Sequence, residues 1–249
     1  MKNLAKIFTA VVAGMLAFSC VTDATEDLGV KIEGQEGGVY EVAISLEGTK
    51  TQLGEKVDGV YPLYWSEGDA IAINGANSLP LAGDAAGLAD ATFQFTKAVE
   101  RPFCVVYPAP TAATVEDEVV ETPATTYPVT FAATQPYTVG TFAPGVAPMY
   151  GYAAALAEGE EEAAIQLNHL TGVLNLAVRG NGEKIKSIRV QSEKGAIAGP
   201  HTVDCATGAL TALEGASNVV TVTCGEGIVL ESDDVPFYIA VLQVALVHL

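Results

Sequence analysis

The stretch from Gln166 to Leu210 constrains the fold most. Its apolar residues alternate with polar or small ones in two runs, first Leu174, Leu176 and Val178, then Ile188 and Val190. A two-residue period is typical of half-buried strands, because successive side chains point to opposite faces of a sheet. The segment Gly180-Asn181-Gly182 separates the runs and tolerates positive φ. The pattern therefore predicts a β-hairpin with a tight turn.

The predicted hairpin has one apolar face and one basic face. The basic face carries Arg179, Lys184, Lys186 and Arg189. The apolar face needs a second sheet to cover it, and the chain that follows offers further short strands but no long helix. The sequence therefore predicts an all-β fold of the sandwich type.

Further phrases of the sequence lie in a characteristic order. They are YWSEGDAIAING (Tyr64–Gly75), VVYPAP (Val105–Pro110), TQPYTVGTFAPGVAPMYGYA (Thr134–Ala153), the Gln166–Leu210 stretch and VPFYIAVL (Val235–Leu242). In this order they resemble the fimbrillin family, the subunits of type-V pili and related surface lipoproteins of Bacteroides-type bacteria. The resemblance covers most of the chain, and its motifs are structural rather than catalytic.

The resemblance implies a fold and a function. The expected fold is two transthyretin-like, Greek-key β-sandwich domains after a lipoprotein signal peptide. The expected function is a structural or accessory subunit of cell-surface fimbriae, with other fimbrial subunits as partners through donor-strand exchange. The alternative is a non-polymerising, lipid-anchored surface protein that binds a glycan or a host ligand. An accessible groove of strand edges would favour the first function, and a cleft lined by exposed aromatic residues would favour the second.

The N-terminus has the layout of a lipoprotein signal. Lys2 and Lys6 precede an apolar run that ends at Ser19-Cys20, and this run is too short to span a membrane. We predict a signal peptide over residues 1–19, lipid attachment at Cys20, and an acidic tether over residues 20–27. An ordinary cleaved signal followed by an accidental cysteine is the alternative. Lipidation would place the protein at the outer membrane, facing the cell surface.

The rest of the chain divides into two predicted domains, 28–141 and 142–249. The first contains a predicted strand over Tyr40–Leu46 and Trp65 as a core residue. Proline-rich segments precede the predicted junction near Gly140–Pro148, and they favour edge strands and crossing loops, since proline lacks a ladder donor. The final strand pattern stops at Leu249, so we expect the second domain to be incomplete at its C-terminus.

Composition argues against several functions. The chain has 12 basic and 30 acidic residues, a net charge of −18, which disfavours nucleic acid and polybasic attachment to anionic lipid. The acidic residues cluster in stretches that lack calcium-loop spacing and are interpreted as solvated loops, at Glu116-Asp117-Glu118, Glu158 to Glu162 and Glu231 to Asp234.

Catalytic and metal-binding patterns are absent from the sequence. The histidines are His169, His201 and His248, and none belongs to a metal or hydrolase motif. We expect no enzyme activity, no cofactor and no metal, although a carboxylate pair assembled by folding stays open. Apart from Cys20, three cysteines remain, at positions 104, 205 and 224. We favour three buried free thiols over a Cys205–Cys224 disulfide, the one pair within a predicted domain.

The resembled pilins are cut after a basic residue, typically Arg, near the start of the first domain, which removes the first strand. No Arg lies between Cys20 and Trp65 here, and the first one after the signal is Arg101. Lys50, directly after the Tyr40–Leu46 strand, is the best-placed processing site among Lys31, Lys50 and Lys56. Because the expected C-terminal donor strands are missing, we predict that this chain does not polymerise efficiently by itself but accepts a donor strand after a cut at Lys50.

The first testable prediction concerns Cys20. We expect Cys20→Ala to abolish lipid attachment and to release or mislocalise the protein, since the thiol is the predicted attachment point for the diacylglycerol. Membrane fractionation with labelled fatty acid measures both effects. Unchanged membrane partitioning of the variant would refute lipidation at this residue.

Overall fold

The computed structural model describes residues 39–46, 64–110, 125–156 and 164–242. These residues form an all-β fold with a short 3-10 helix at Gly83–Ala85. Its strands are β1 (Tyr40–Ser45), β2 (Ala72–Ile73), β3 (Ala76–Asn77), β4 (Asp90–Phe95), β5 (Phe103–Tyr107), β6 (Thr126–Phe131), β7 (Thr134–Pro136), β8 (Met149–Ala153), β9 (Ile165–Gln166), β10 (Asn168–His169), β11 (Thr171–Val178), β12 (Lys184–Gln191), β13 (Gly199–Asp204), β14 (Leu210–Ala212), β15 (Val219–Val229) and β16 (Val235–Leu242).

The strands pair into five small sheets, and the sandwich-like all-β class is confirmed. Their orders are β4-β1-β9, β10-β8-β5-β2-β3, β11-β16, β12-β15-β7 and β14-β13-β6. Residues that tolerate positive φ form some of the turns between paired strands. Asn74 and Gly75, for example, both adopt positive φ between β2 and β3, as a two-residue hairpin turn of right-handed twist requires.

Strand β5 separates two hydrophobic cores. All five of its residues are buried. Phe103, Val105 and Tyr107 belong to a first core, whereas Cys104 and Val106 belong to a second. Because side chains alternate along a strand, the five-stranded sheet is covered on both faces, and β5 contributes to each core.

The first core lies between the five-stranded sheet and the β4-β1-β9 sheet. Trp65 is fully buried there, as predicted, and it packs edge-on against Phe93 and Tyr107 with ring centroids 4.9 and 5.6 Å apart. The predicted strand over Tyr40–Leu46 is confirmed as β1. Its alternating residues Val42 and Ile44 are buried in the same core.

The second core is built from the remaining three sheets and from the opposite face of the five-stranded sheet, which contributes Cys104 and Val106. The predicted alternation in β11 and β12 is confirmed, but Leu174, Leu176, Ile188 and Val190 are half-buried residues packed against the core rather than its centre. The fully buried centre is supplied by other strands, mainly β15 and β16 through Val220, Val222, Phe237, Ile239 and Val241.

The predicted β11–β12 hairpin is wrong. Strand β11 pairs with β16, and β12 pairs with β15, in two different sheets. The Gly180–Glu183 turn instead pairs with the segment before β16, where the Gly180 and Gly182 amides donate to the carbonyls of Glu231 and Leu230. A Cβ on Gly180 would lie 2.5 Å from the Leu230 side chain, so this close approach requires glycine. Alternation predicts the buried face of a strand but not its partner.

Strand pairing crosses the predicted boundary at residues 141 and 142. Strands β6 and β7 precede it but pair with β13 and β15. Strands β8 and β9 follow it but pair with β5 and β1. The chain therefore exchanges strands between the two cores on either side of Gly140–Pro148.

A disulfide joins β5 to the end of β13. It links Cys104 and Cys205, whose Cα atoms are 5.5 Å apart, while Cys224 is free and buried. The expectation of three free thiols is wrong, and so is the alternative Cys205–Cys224 pair. The physical reason is the alternation of β5, which directs Cys104 away from the first core and toward the strand that ends at Asp204, next to Cys205.

The second prediction follows from this bridge, which closes a loop with a sequence separation of 101 residues. We expect Cys104→Ala with Cys205→Ala to lower the free energy of unfolding by about 2–5 kcal/mol, because the unfolded chain regains freedom. Urea denaturation measures the change. Dithiothreitol should destabilise the parent protein and the matched Cys224→Ala variant but not the double variant; equal sensitivity of all three would contradict the assignment.

Candidate functional site

The best-formed candidate site is the slot that β1 occupies in the β4-β1-β9 sheet. On one side β1 pairs antiparallel with β4 over six residues, from Tyr40 opposite Phe95 to Ser45 opposite Asp90. On the other side it pairs parallel with β9 over two residues, Ile44 opposite Ile165 and Ser45 opposite Gln166. The strand is therefore held along its full length at one edge and only at its end at the other.

Apolar side chains of this segment fill the first core. Val42, Ile44 and Leu46 are each less than 4% exposed, and they follow the two-residue period of the strand. Full burial of such a side chain stabilises a fold by about 1.5–3 kcal/mol. Without this segment, the slot would present three apolar cavities at alternate positions and an unpaired edge of β4, the combination that an added strand recognises.

Hydrogen bonds to Asp69 hold the turn that carries Trp65 in the first core. The turn Trp65–Asp69 places Gly68 at φ +85, and the Ser66 amide donates to Asp69 Oδ2 at 2.8 Å. The hydroxyl of Tyr107 donates to Asp69 Oδ1 at 2.7 Å. These bonds connect the turn to β5 beneath the first core.

Burial raises the pKa of Asp69 above its ordinary value, while the bonds from Ser66 and Tyr107 lower it. Burial also raises the pKa of Tyr107, and the neighbouring Asp69 carboxylate raises it further. A buried carboxylate that accepts two hydrogen bonds is satisfied and structural. We assign this pair to holding the turn in place.

A surface pocket of about 490 Å³ lies on the outward side of β1 and β4. Leu79 and Leu88, which are 43% and 51% exposed, form part of its apolar lining, and Asp84 and Asp90 supply its charge. The lining includes no aromatic and no basic residue among those described. It therefore lacks the ring surfaces expected of a sugar-binding cleft.

The two predicted site residues, Cys20 and Lys50, lie outside the described residues. So do His248 and two of the three acidic clusters; the third, Glu231 to Asp234, is exposed as predicted. In the described part of the chain, no group of three His, Cys, Asp or Glu side chains could hold a metal ion. The same residues contain no helix long and apolar enough to cross a membrane.

The two described histidines occupy structural positions. His201 is 2% exposed, its Nδ1 lies 3.1 Å from the Gly199 carbonyl oxygen, and its ring packs edge-on against Phe131. His169 lies on the two-residue strand β10 and is half-buried. The polar contact of His201 with a main-chain carbonyl and its ring contact with Phe131 give this residue a structural role in the second core.

One buried side chain that sequence reasoning missed joins two sheets. The Gln135 amide donates to the Ala240 carbonyl at 2.7 Å and accepts from the Ala240 amide at 3.1 Å. The Gln135 side chain thus makes the two hydrogen bonds that a neighbouring strand would make at the free edge of β16. It connects β7 to β16. The sequence around Gln135, between Thr134 and Pro136, gives no signal for this role. The role becomes evident only from the position of β7 beside β16 in the fold.

Comparisons with known proteins are negative at every level. No family model, no curated protein and no solved structure matches the chain.

The third prediction concerns the Asp69–Tyr107 pair. Tyr107→Phe removes a donor to a buried carboxylate, so we expect a loss of about 1–3 kcal/mol in the free energy of unfolding at pH 7. The substitution should raise the pKa of Asp69 further. A raised folded-state pKa contributes stability that is present at low pH and is lost as pH rises through that pKa. The loss of unfolding free energy caused by Tyr107→Phe should therefore become smaller as pH falls from 7 toward 4.

Urea denaturation at several pH values measures this trend. The matched control places Tyr107→Phe in an Asp69→Asn background, where the penalty should no longer depend on pH. A penalty that stays constant with pH in the parent background would contradict the assignment.

Proposed function

We propose that this protein is a structural or accessory subunit of cell-surface fimbriae, exported as a lipoprotein through Cys20 and assembled by β-strand addition. The proposal includes processing after Lys50, which would release β1 and open its slot to a donor strand. The two cores would then correspond to the two transthyretin-like, Greek-key sandwich units expected from the resemblance, sharing the five-stranded sheet. The single observation that carries the proposal is the geometry of β1.

Three properties of β1 support a removable strand. It is the first described strand, it pairs with β9 over two residues, and its buried apolar side chains alternate. Lys50 lies four residues after Leu46, so a cut there leaves the strand whole. The first core would lose Val42, Ile44 and Leu46, whereas the disulfide and the second core contain no residue of β1.

The second candidate function is a non-polymerising, lipid-anchored surface protein that binds a glycan or a host ligand. The pocket beside Leu79 and Leu88 favours it. Its described lining is aliphatic and acidic, however, and small-molecule sites commonly include aromatic side chains. Strand addition is therefore the better-supported function.

The fourth prediction tests strand addition directly. Lys31→Gln with Lys56→Gln leaves Lys50 as the Lys-specific site between Cys20 and Trp65. After cleavage and removal of the N-terminal fragment in mild denaturant, the refolded body should bind a labelled peptide of residues 39–46, because the peptide restores the β4 pairing and fills the three cavities. Fluorescence anisotropy and SDS-stable complexes on gels measure binding.

Matched controls separate the steps. Lys50→Gln should block cleavage, and Lys50→Arg should transfer it to an Arg-specific protease. A peptide with Asp in place of Val42 and Ile44 should not bind. A cleaved, folded body that fails to bind the parent peptide would refute the slot as an acceptor.

A further inference from the structure

In the described part of this acidic protein, the basic residues are concentrated in one segment. Residues 179–194 contain five basic and two acidic side chains, whereas the other described residues contain two basic and twelve acidic ones. The charged positions of β12, which are Lys184, Lys186 and Arg189, are all cationic and exposed. Charged side chains on an edge strand, lysine above all, oppose edge-to-edge aggregation. That role accounts for the lysines of β12 but not for the cations at Arg179, Arg189 and Lys194, in a chain with 30 acidic residues. The uniform sign therefore calls for a further explanation.

Strand register places Arg189 in a row of hydroxyl residues, next to the row of Ser187, whereas Lys184 lies opposite Val229 and Lys186 falls at a register shift. Arg189 lies opposite Thr221, which lies opposite Thr134; Ser187 lies opposite Thr223, which lies opposite Pro136. Residues opposite one another in a sheet share a face, and the neighbours of these residues point into the second core. We name the outward side of β12, β15 and β7 the basic face.

The cations of the basic face are available to a ligand. Among the described residues, Arg179 pairs with Asp234, but Lys184, Lys186 and Arg189 make no ion pair. Glu226 is the exposed carboxylate on β15, and it pairs with none of them. Because the Debye length is about 8 Å at physiological ionic strength, a bound anion senses these nearby cations more than the net charge of the whole chain.

The chemistry of the face selects the ligand. The three strands carry no aromatic residue, so the face lacks both the ring surfaces for neutral sugars and the aromatic anchors typical of protein interfaces. An extended polymer with repeated anionic groups needs only cations and hydroxyl donors along a flat surface. We propose that the basic face binds an anionic polysaccharide bearing carboxylate or sulfate groups. This site belongs to the second core and does not depend on strand addition at β1.

The fifth prediction uses dextran sulfate as the probe and neutral dextran as the matched polymer. We expect the purified chain to bind dextran sulfate in low salt and to release it in high salt. It should not bind neutral dextran. Lys186→Gln and Arg189→Gln should each weaken binding about fivefold, as expected for one cation near an anionic surface. Glu226→Gln should strengthen it. Affinity electrophoresis and biolayer interferometry measure these changes.

Lys97→Gln is the charge-matched control outside the face and should bind like the parent protein, and Arg189→Lys should retain most of the affinity. Circular dichroism verifies the fold of each variant. Absence of binding by the parent protein, or equal weakening by Lys97→Gln, would overturn the proposal. A third outcome would also overturn it: the parent protein forms a salt-dependent dimer in sedimentation, Arg189→Gln abolishes the dimer, and the parent protein does not bind dextran sulfate. The basic face would then be a contact surface between copies of the chain.

Discussion

The structure depends on the burial of β5 on both faces. A strand without a solvent-exposed face must satisfy its backbone entirely through neighbours, and β5 does so between β2 and β8. Its large residues, Phe103 and Tyr107, fill the first core, while the smaller Cys104 and Val106 face the second. Small side chains on that face allow the β13 end to approach closely enough for a disulfide. The two cores are consequently coupled through the five-stranded sheet, whose strands β2, β5 and β8 contribute side chains to both, and separation of the cores would expose both faces.

Sequence periodicity predicts much of this fold but not its pairing. The alternation in β1, β11 and β12 correctly indicates strands and their inward faces. It cannot tell that β11 and β12 belong to different sheets, because the Gly-Asn-Gly segment suits a tight turn and a connection between sheets equally well. Sequence reasoning does not find the disulfide for a related reason. The predicted boundary at residue 141 places Cys104 and Cys205 in different domains, whereas the chain exchanges strands across that boundary.

The candidate site was predictable in part. The apolar period of Tyr40–Leu46 identifies a strand with one buried face, and the slot geometry agrees with it. The two-residue parallel contact with β9 could not be foreseen, since Ile165-Gln166 is too short for a periodic signal. Asp69 likewise reads as a turn residue in the sequence. Only the fold brings the Tyr107 hydroxyl to its carboxylate across 38 residues of chain.

The two cores carry surfaces of opposite charge. The outward side of β1 and β4 carries Asp84 and Asp90, whereas the basic face of β12 belongs to the second core. The second core retains its disulfide, its β16 edge satisfied by Gln135, and all of its strands if β1 is exchanged. Because none of these contacts uses a residue of β1, a ligand on the basic face would not oppose strand addition in the slot. The proposed polymer attachment and the proposed subunit assembly would therefore use different surfaces of the same molecule.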